Sequence, residues 1–361
     1  MSKRYLNFSA GPAMLPESVL QQVHQAIFDW DAQGVSILEI GHRTERFYQL
    51  IKQCQLHLRQ LLEIPETHEV LFVPSGTTAH FAYMPQNLLG TYQKIDYVDT
   101  GYWSQKAIAQ AKKYTQINIV ASGKNASYLA IPDESSWQLS EKAAFVHYVD
   151  NETVDGVEFS WVPHSPYAPL VADMTSSLLS KPIDIAKFGA IYAGAQKNLG
   201  IAGISVVIMN KQLLSRSTEQ LPDVFNYQKI AQADSLYSTP AIFAWYVLSL
   251  MLEWAIAAGG VNALYQQNLL KAQRLYDYID QSEFYDNPID SRFRSRMNVV
   301  LTLNKSELED DFLISAKKAG IIGLKGHRAR GGIRVSLYNT ISIADVDKLI
   351  DFMDTFVKTG S

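Results

Sequence analysis

The chain has 361 residues, 47% hydrophobic and 19% charged, with 36 acidic against 32 basic residues and a formal net charge of −4. That length exceeds the roughly 250–300 residues at which one core stops growing, so a large unit joined to a smaller one is expected. The charge balance, without any basic block, argues against a nucleic-acid or acidic-membrane partner, and the single cysteine, Cys54, excludes an internal disulfide framework and suits a reducing, cytoplasmic compartment.

At the start, MSKRYLNFSAGPAMLP puts polar residues and prolines where a secretory signal needs a long apolar run. Apolar spacing predicts helices over 16–30 and 46–62, and EVLFVPSGTTAH at 69–80 reads as a strand, a glycine turn and a helix start. KIDYVDTGYW is a strand and turn, the helical SQKAIAQAKKY follows, and INIVAS at 117–122 is a strand. AAFVHYVDNET, PLVADMTSS, AIYAGA and GISVVIMN add four short β-rich runs. AIFAWYVLSLMLEWAIAAGG at 241–260 is read as a long buried helix rather than a membrane span, because Glu253 interrupts it. MNVVLTL, a helix through ELEDDFLISAKKAG, GGIRVSLYN and a helix over 342–357 form a separate α+β group.

This order predicts an α/β protein: a mainly parallel seven-stranded sheet flanked by helices, then a smaller C-terminal α+β domain. The change falls near 260–290, giving a large domain over 16–260 and a small one over 261–361 joined by residues 1–15.

In an open α/β sheet, ligands collect beyond the carboxyl ends of the strands. Ser75-Gly76-Thr77-Thr78 lies there and offers backbone N–H groups and hydroxyls to a phosphate, without the longer GxxxxGK[ST] signature of nucleotide-triphosphate sites. Asp173 ends the PLVAD strand and Trp103 follows the YVDTGY strand. Taken singly, each is more often a cap or packing residue. Lys197, in YAGAQKNLG, is by default a surface lysine. Its sharper reading is an amine nucleophile whose pKa is lowered by burial or by a neighbouring cation. Together, a phosphate cradle, a flat aromatic, a carboxylate and an amine are what a pyridoxal 5'-phosphate site requires, although their spacing is not unique to it. No metal is assigned.

Six blocks in order are similar to the phosphoserine aminotransferases, fold-type I enzymes of aminotransferase class V: NFSAGPAMLP (7–16), GHR (41–43), DTGYWSQKA (99–107), HYVDNETVDGVEF (147–159), ADMTSSLLSKPIDIAKFGAIYAGAQKNLGIAG (172–203) and KGHRARGGIRVSLYN (325–339). The resemblance implies an aspartate-aminotransferase-like fold, with Lys197 as the Schiff-base lysine and Asp173 as partner of the pyridine nitrogen. It implies Trp103 stacked on the ring, Thr153 near its phenolic oxygen, and Gln196, Thr77 and Thr78 at the phosphate. Ser238 and Thr239 are implied to reach that phosphate from a second subunit, so a homodimer is expected. Arg334 suits the substrate α-carboxylate. His42, Arg43, His327 and Arg328 suit the distal anion, some of them across the dimer interface. The implied reaction transfers the amino group of L-glutamate to 3-phosphohydroxypyruvate, giving O-phospho-L-serine and 2-oxoglutarate, with 3-hydroxy-2-oxo-4-phosphonooxybutanoate as a related acceptor.

The nearest alternative is another class V enzyme, such as a serine or alanine–glyoxylate aminotransferase. A cysteine desulfurase needs a mobile cysteine, whereas Cys54 lies in the helical IKQCQLHLRQ. A nicotinamide dehydrogenase would need a GxGxxG strand–turn–helix, which is missing. A regulatory or structural dimer is the non-enzymatic alternative.

Overall fold

The computed structural model describes residues 4–360; residues 1–3 and 361, which belong to the segments assigned above to the small domain, lie outside it. Seven strands form the large sheet: β1 (His68–Val73), β2 (Lys94–Asp99), β3 (Gln116–Ser122), β4 (Val146–Val149), β5 (Leu170–Asp173), β6 (Ala190–Gly194) and β7 (Ser205–Asn210). Their spatial order is β1-β7-β6-β5-β4-β2-β3. Only β7 runs against its neighbours, pairing antiparallel with both β1 and β6. The sheet is therefore mainly parallel, as the strand and crossover pattern predicts.

Alternate residues of these strands enter cores on opposite faces, so both faces are apolar. Val70, Phe72, Ile191 and Ala193 join one cluster, while Leu71, Val73, Ala190 and Tyr192 join the other. Helix α1 (Glu17–Phe28) packs beyond the first face, and α2 (Glu45–Leu62) lies against it; α3 (Thr77–Leu88) and α4 (Tyr102–Ala111) cover the second. The apolar run near 250 is helix α5 (Ile242–Ala257), buried on most sides. Its Trp245 sits with ring centroids 5.9 Å from Phe47 and 4.3 Å from Phe72, and truncating it to alanine is expected to cost about 3–5 kcal/mol. Among the described residues no single helix is long and apolar enough to cross a membrane.

Helix α6 (Gly260–Asp280) carries the chain from one core to the next: Val261 belongs to the first, and Ala272, Leu275, Tyr276 and Ile279 to another. The sequence reading did not pick out this helix. That second core is built on a three-stranded antiparallel sheet, β8 (Tyr285–Asp286), β9 (Asn298–Leu303) and β10 (Ile333–Ser336), with α7 (Glu309–Lys318) and α8 (Ile343–Gly360). Phe8 is buried in it, and Leu6–Asn7 pair in parallel with Ile321–Ile322.

Candidate active site

The carboxyl ends of β1, β2, β4, β5 and β6 converge on a cavity of about 450 Å³, which the N-terminal segment and β10 of the second unit close. Each strand delivers one chemical group to it.

From β1 the chain turns through Gly76 into α3. Gly76 precedes the helix with no side-chain cap, so the first-turn N–H groups, with Thr77 and Thr78, face the cavity as an anion site. The Thr77 and Thr175 hydroxyls are hydrogen-bonded at 3.0 Å, and Gly194 N donates to Thr175 Oγ1 at 3.3 Å. A Cβ on Gly194 would collide with Thr77 Oγ1 and Gln196 Oε1, so only glycine lets this cradle close.

Asp173, at the end of β5, is 5% exposed and accepts from Thr175 N at 2.9 Å. Burial raises its pKa, while the Thr175 hydrogen bonds and the Lys197 charge act in the opposite direction. A carboxylate held this deep calls for a cationic partner.

Beyond β6, Lys197 lines the same cavity with 8% exposure. Burial lowers its pKa from 10.5 to about 8; Asp173 resists that shift and Arg334 adds to it. Neighbours on both sides hold the turn: Gln196 O accepts from Ala13 N at 2.9 Å, and Asn198 Oδ1 accepts from Asn339 N at 3.0 Å. The lysine is therefore buried, with an amine that releases its proton more easily than an exposed lysine does.

Trp103 is presented by the first turn of α4. Its backbone N–H and that of Ser104 donate to the buried Glu152 carboxylate, both at 2.8 Å, and its Nε1 donates to Thr153 Oγ1 at 2.9 Å. Arg334, from β10, donates to Thr153 O at 3.1 Å and lines the cavity together with His327.

The structure thus brings together Thr77, Thr78, Trp103, Thr153, Asp173, Gln196, Lys197, His327 and Arg334. It does not bring His42, Arg43, Ser238, Thr239 or Arg328 into the cavity lining of this one chain; Arg43, Thr239 and Arg328 are exposed. Sequence reasoning missed Asn151, Thr175, Ser176 and the Ala10-Gly11-Pro12 wall. The polar run MTSS directly after Asp173 was the available signal for Thr175 and Ser176.

The fold coincides with a known class. The chain matches the aminotransferase class-V family over residues 5–349. It is 46% identical over 358 residues, 99% of both chains, to the phosphoserine aminotransferase of Pseudomonas syringae pv. syringae. It superposes with a TM-score of 0.97 on the phosphoserine aminotransferase from Bacillus circulans subsp. alkalophilus, at 38% identity over the whole of both chains. With the PLP-bound phosphoserine aminotransferase from Trichomonas vaginalis the TM-score is 0.93, at 35% identity over 97% of this chain and 100% of the other. Within class V, the chain belongs to the phosphoserine aminotransferase family.

Proposed function

We propose that the protein is a pyridoxal-phosphate-dependent transaminase interconverting L-glutamate and 3-phosphohydroxypyruvate with 2-oxoglutarate and O-phospho-L-serine. The observation carrying this reading is the buried Lys197 amine close to the buried Asp173 carboxylate, in a cavity that the anion cradle and Arg334 also line. These residues fit the cofactor. The uncapped α3 N-terminus, with the Thr77 and Thr78 side chains, suits a phosphate, Asp173 suits a protonated ring nitrogen, and Trp103 offers an aromatic side chain on the cavity wall.

Pyridoxal 5'-phosphate, when bound, supplies a carbonyl that condenses with a primary amine and a ring that accepts the electron pair left at the substrate α-carbon. Lys197 holds the cofactor between turnovers. Its neutral amine would be the base placed to take the proton from the substrate α-carbon. Burial supports this role, because an amine with a pKa of about 8 is roughly half free base at pH 8, where an ordinary lysine is almost wholly protonated. The Asp173 carboxylate would pair with a protonated ring nitrogen and so favour that form. Arg334 receives the α-carboxylate through its guanidinium, and its bond to Thr153 O fixes the direction of approach. His327, on the cavity wall, and Arg328, on the same loop, are assigned to the distal anion, which is a γ-carboxylate in glutamate and a phosphate in phosphoserine.

His42, Arg43, Ser238 and Thr239 lie off this chain's cavity lining, which suits residues that act on a second copy's site, and we assign the active form as a homodimer on that basis. The shared carboxylate and phosphate of 3-hydroxy-2-oxo-4-phosphonooxybutanoate make it a second acceptor for the same pocket. The test is kcat/KM for phosphoserine, serine and alanine with 2-oxoglutarate. This reading expects a strong preference for phosphoserine; equal efficiency on all three, or preference for alanine with glyoxylate, would move the protein to another class V activity.

A further inference from the structure

The turn of the hairpin NETVDG, residues 151–156, does more than contribute Thr153 to the cavity. Its Asp155 is 4% exposed and divides its two oxygens between the two units of the fold. Oδ2 accepts from Tyr102 N, at the start of α4, at 2.6 Å. Oδ1 accepts from Arg330 Nε at 2.8 Å and from Nη2 at 2.5 Å. Arg330 Nη2 also donates to Ser127 O at 2.8 Å. Gly101 leaves room for this arrangement, since a Cβ there would strike Asp155 and Glu152.

Arg330 lies on the loop that carries His327 and Arg328. That loop is a tight hairpin tip: Gly326 N donates to Gly332 O and Arg330 N to His327 O, both at 2.8 Å. Gly331 and Gly332 have φ of +71° and +66°, the left-handed region that favours glycine. Immediately after it Arg334 N donates to Leu324 O at 2.8 Å. The His327 ring meets the Tyr102 ring with centroids 4.7 Å apart. One carboxylate therefore touches both the backbone that presents Trp103 and the loop that presents the distal-anion residues.

We propose that Asp155 and Arg330 are positioning residues: their ion pair latches the 326–332 loop onto the start of α4 and sets where the distal anion of the substrate is held. The inference rests on the reading of His327 and Arg328 given above. Arg330 itself does not line the cavity, so it acts through the loop and not by touching substrate. Two guanidinium N–H groups, Nε and Nη2, converge on the one oxygen of a nearly buried carboxylate, an arrangement that the single ammonium of lysine does not reproduce. Losing Arg330 removes the guanidinium paired with Asp155 and leaves that carboxylate close to the buried Glu152 carboxylate, which weakens the hold of the loop on α4.

The test compares Arg330→Gln, Arg330→Lys, Asp155→Asn and the Arg330→Gln/Asp155→Asn double variant as holoenzymes, with two readouts. In steady-state kinetics Arg330→Gln is expected to raise KM for phosphoserine about tenfold, with kcat within about twofold and KM for alanine little changed. Arg330→Lys should recover only part of the loss. The double variant should be no worse than the poorer single variant, because both remove one interaction. The second readout is amide hydrogen exchange over 326–332, which should quicken in every variant. Unchanged exchange would overturn the latch whatever the substrate proves to be. Quickened exchange with equal KM changes for phosphoserine and alanine would overturn its role in placing the distal anion. A wild type inactive on phosphoserine would instead overturn the functional reading, and the exchange result would still decide the latch. Because Arg330 is partly exposed, its glutamine variant remains informative if Asp155→Asn folds poorly.

Discussion

Trp103 Nε1 donates to Thr153 Oγ1 at 2.9 Å, so the aromatic wall of the cavity and the hydroxyl assigned to the cofactor's phenolic oxygen move as one unit. Thr153→Val keeps the side-chain shape and removes the acceptor, leaving the indole N–H without its partner. A net loss of about 1 kcal/mol corresponds to roughly a fivefold weaker affinity for pyridoxal 5'-phosphate, readable as quenching of tryptophan fluorescence. An unchanged dissociation constant would separate the two residues functionally.

Gly194 is constrained by space. Gly194→Ala would push a methyl group into Thr77 Oγ1 and Gln196 Oε1, and β6 is paired on both sides, so its backbone has little freedom to yield. Overpacking of this kind costs about 1–3 kcal/mol. The expected result is a lowered melting temperature together with cofactor affinity reduced at least tenfold. Wild-type affinity for inorganic phosphate and for cofactor would remove the cradle from the account.

Lys197 makes the stability of the cofactor-free protein depend on alkaline pH. Its pKa is lowered to about 8 in the fold and stands at 10.5 ordinarily, so between those values the unfolded chain holds a proton that the native chain lacks. Native stability therefore rises with pH across that window; the penalty is fully present below pH 8 and gone above 10.5. Relative to Lys197→Met, the wild type should gain up to about 3 kcal/mol from pH 8 to 10.5 in urea titrations, at 1.36 kcal/mol per unit. A flat difference would show that the lysine is not desolvated.

Asp173 should matter to the reaction far more than to folding. Asp173→Asn retains its size and its acceptor for Thr175 N but removes the charge that balances a protonated ring. By analogy with other preorganised electrostatic groups, the loss in kcat is on the order of 100-fold or more. A normal far-UV spectrum with a near-normal half-reaction rate would contradict the assignment.

Much of this was legible in the sequence, for identifiable reasons. The strands of the large sheet are short apolar runs between turn signals, and the fold buries both their faces, so the parallel α/β reading follows from their order. Asp173 and Lys197 are ambiguous singly, as a strand-end cap and a surface lysine, and become readable only as a set with Trp103 and the Gly76-Thr77-Thr78 turn, since all of them lie at or just beyond strand ends on one edge of the sheet. The reversed direction of β7 was not legible, since strand direction is set by pairing with β1 and β6 and leaves no mark in GISVVIMN. Helix α6 escaped because it packs on two cores in turn and lacks one continuous apolar stripe. The Asp155–Arg330 pair lies 175 residues apart, and nothing local in VDG or RARGG announces it.

The Lys197 amine is assigned to a pyridoxal phosphate site that accepts phosphoserine. That assignment is tested most directly by a single-turnover experiment: cofactor-loaded protein mixed with excess O-phospho-L-serine and no 2-oxoglutarate, with 3-phosphohydroxypyruvate counted per chain. About one equivalent is expected from the wild type, accompanied by a change in the cofactor's absorbance, and a rate lower by several orders of magnitude from Lys197→Ala loaded with the same cofactor. No product from the wild type, or release by Lys197→Ala at the wild-type rate, would contradict it.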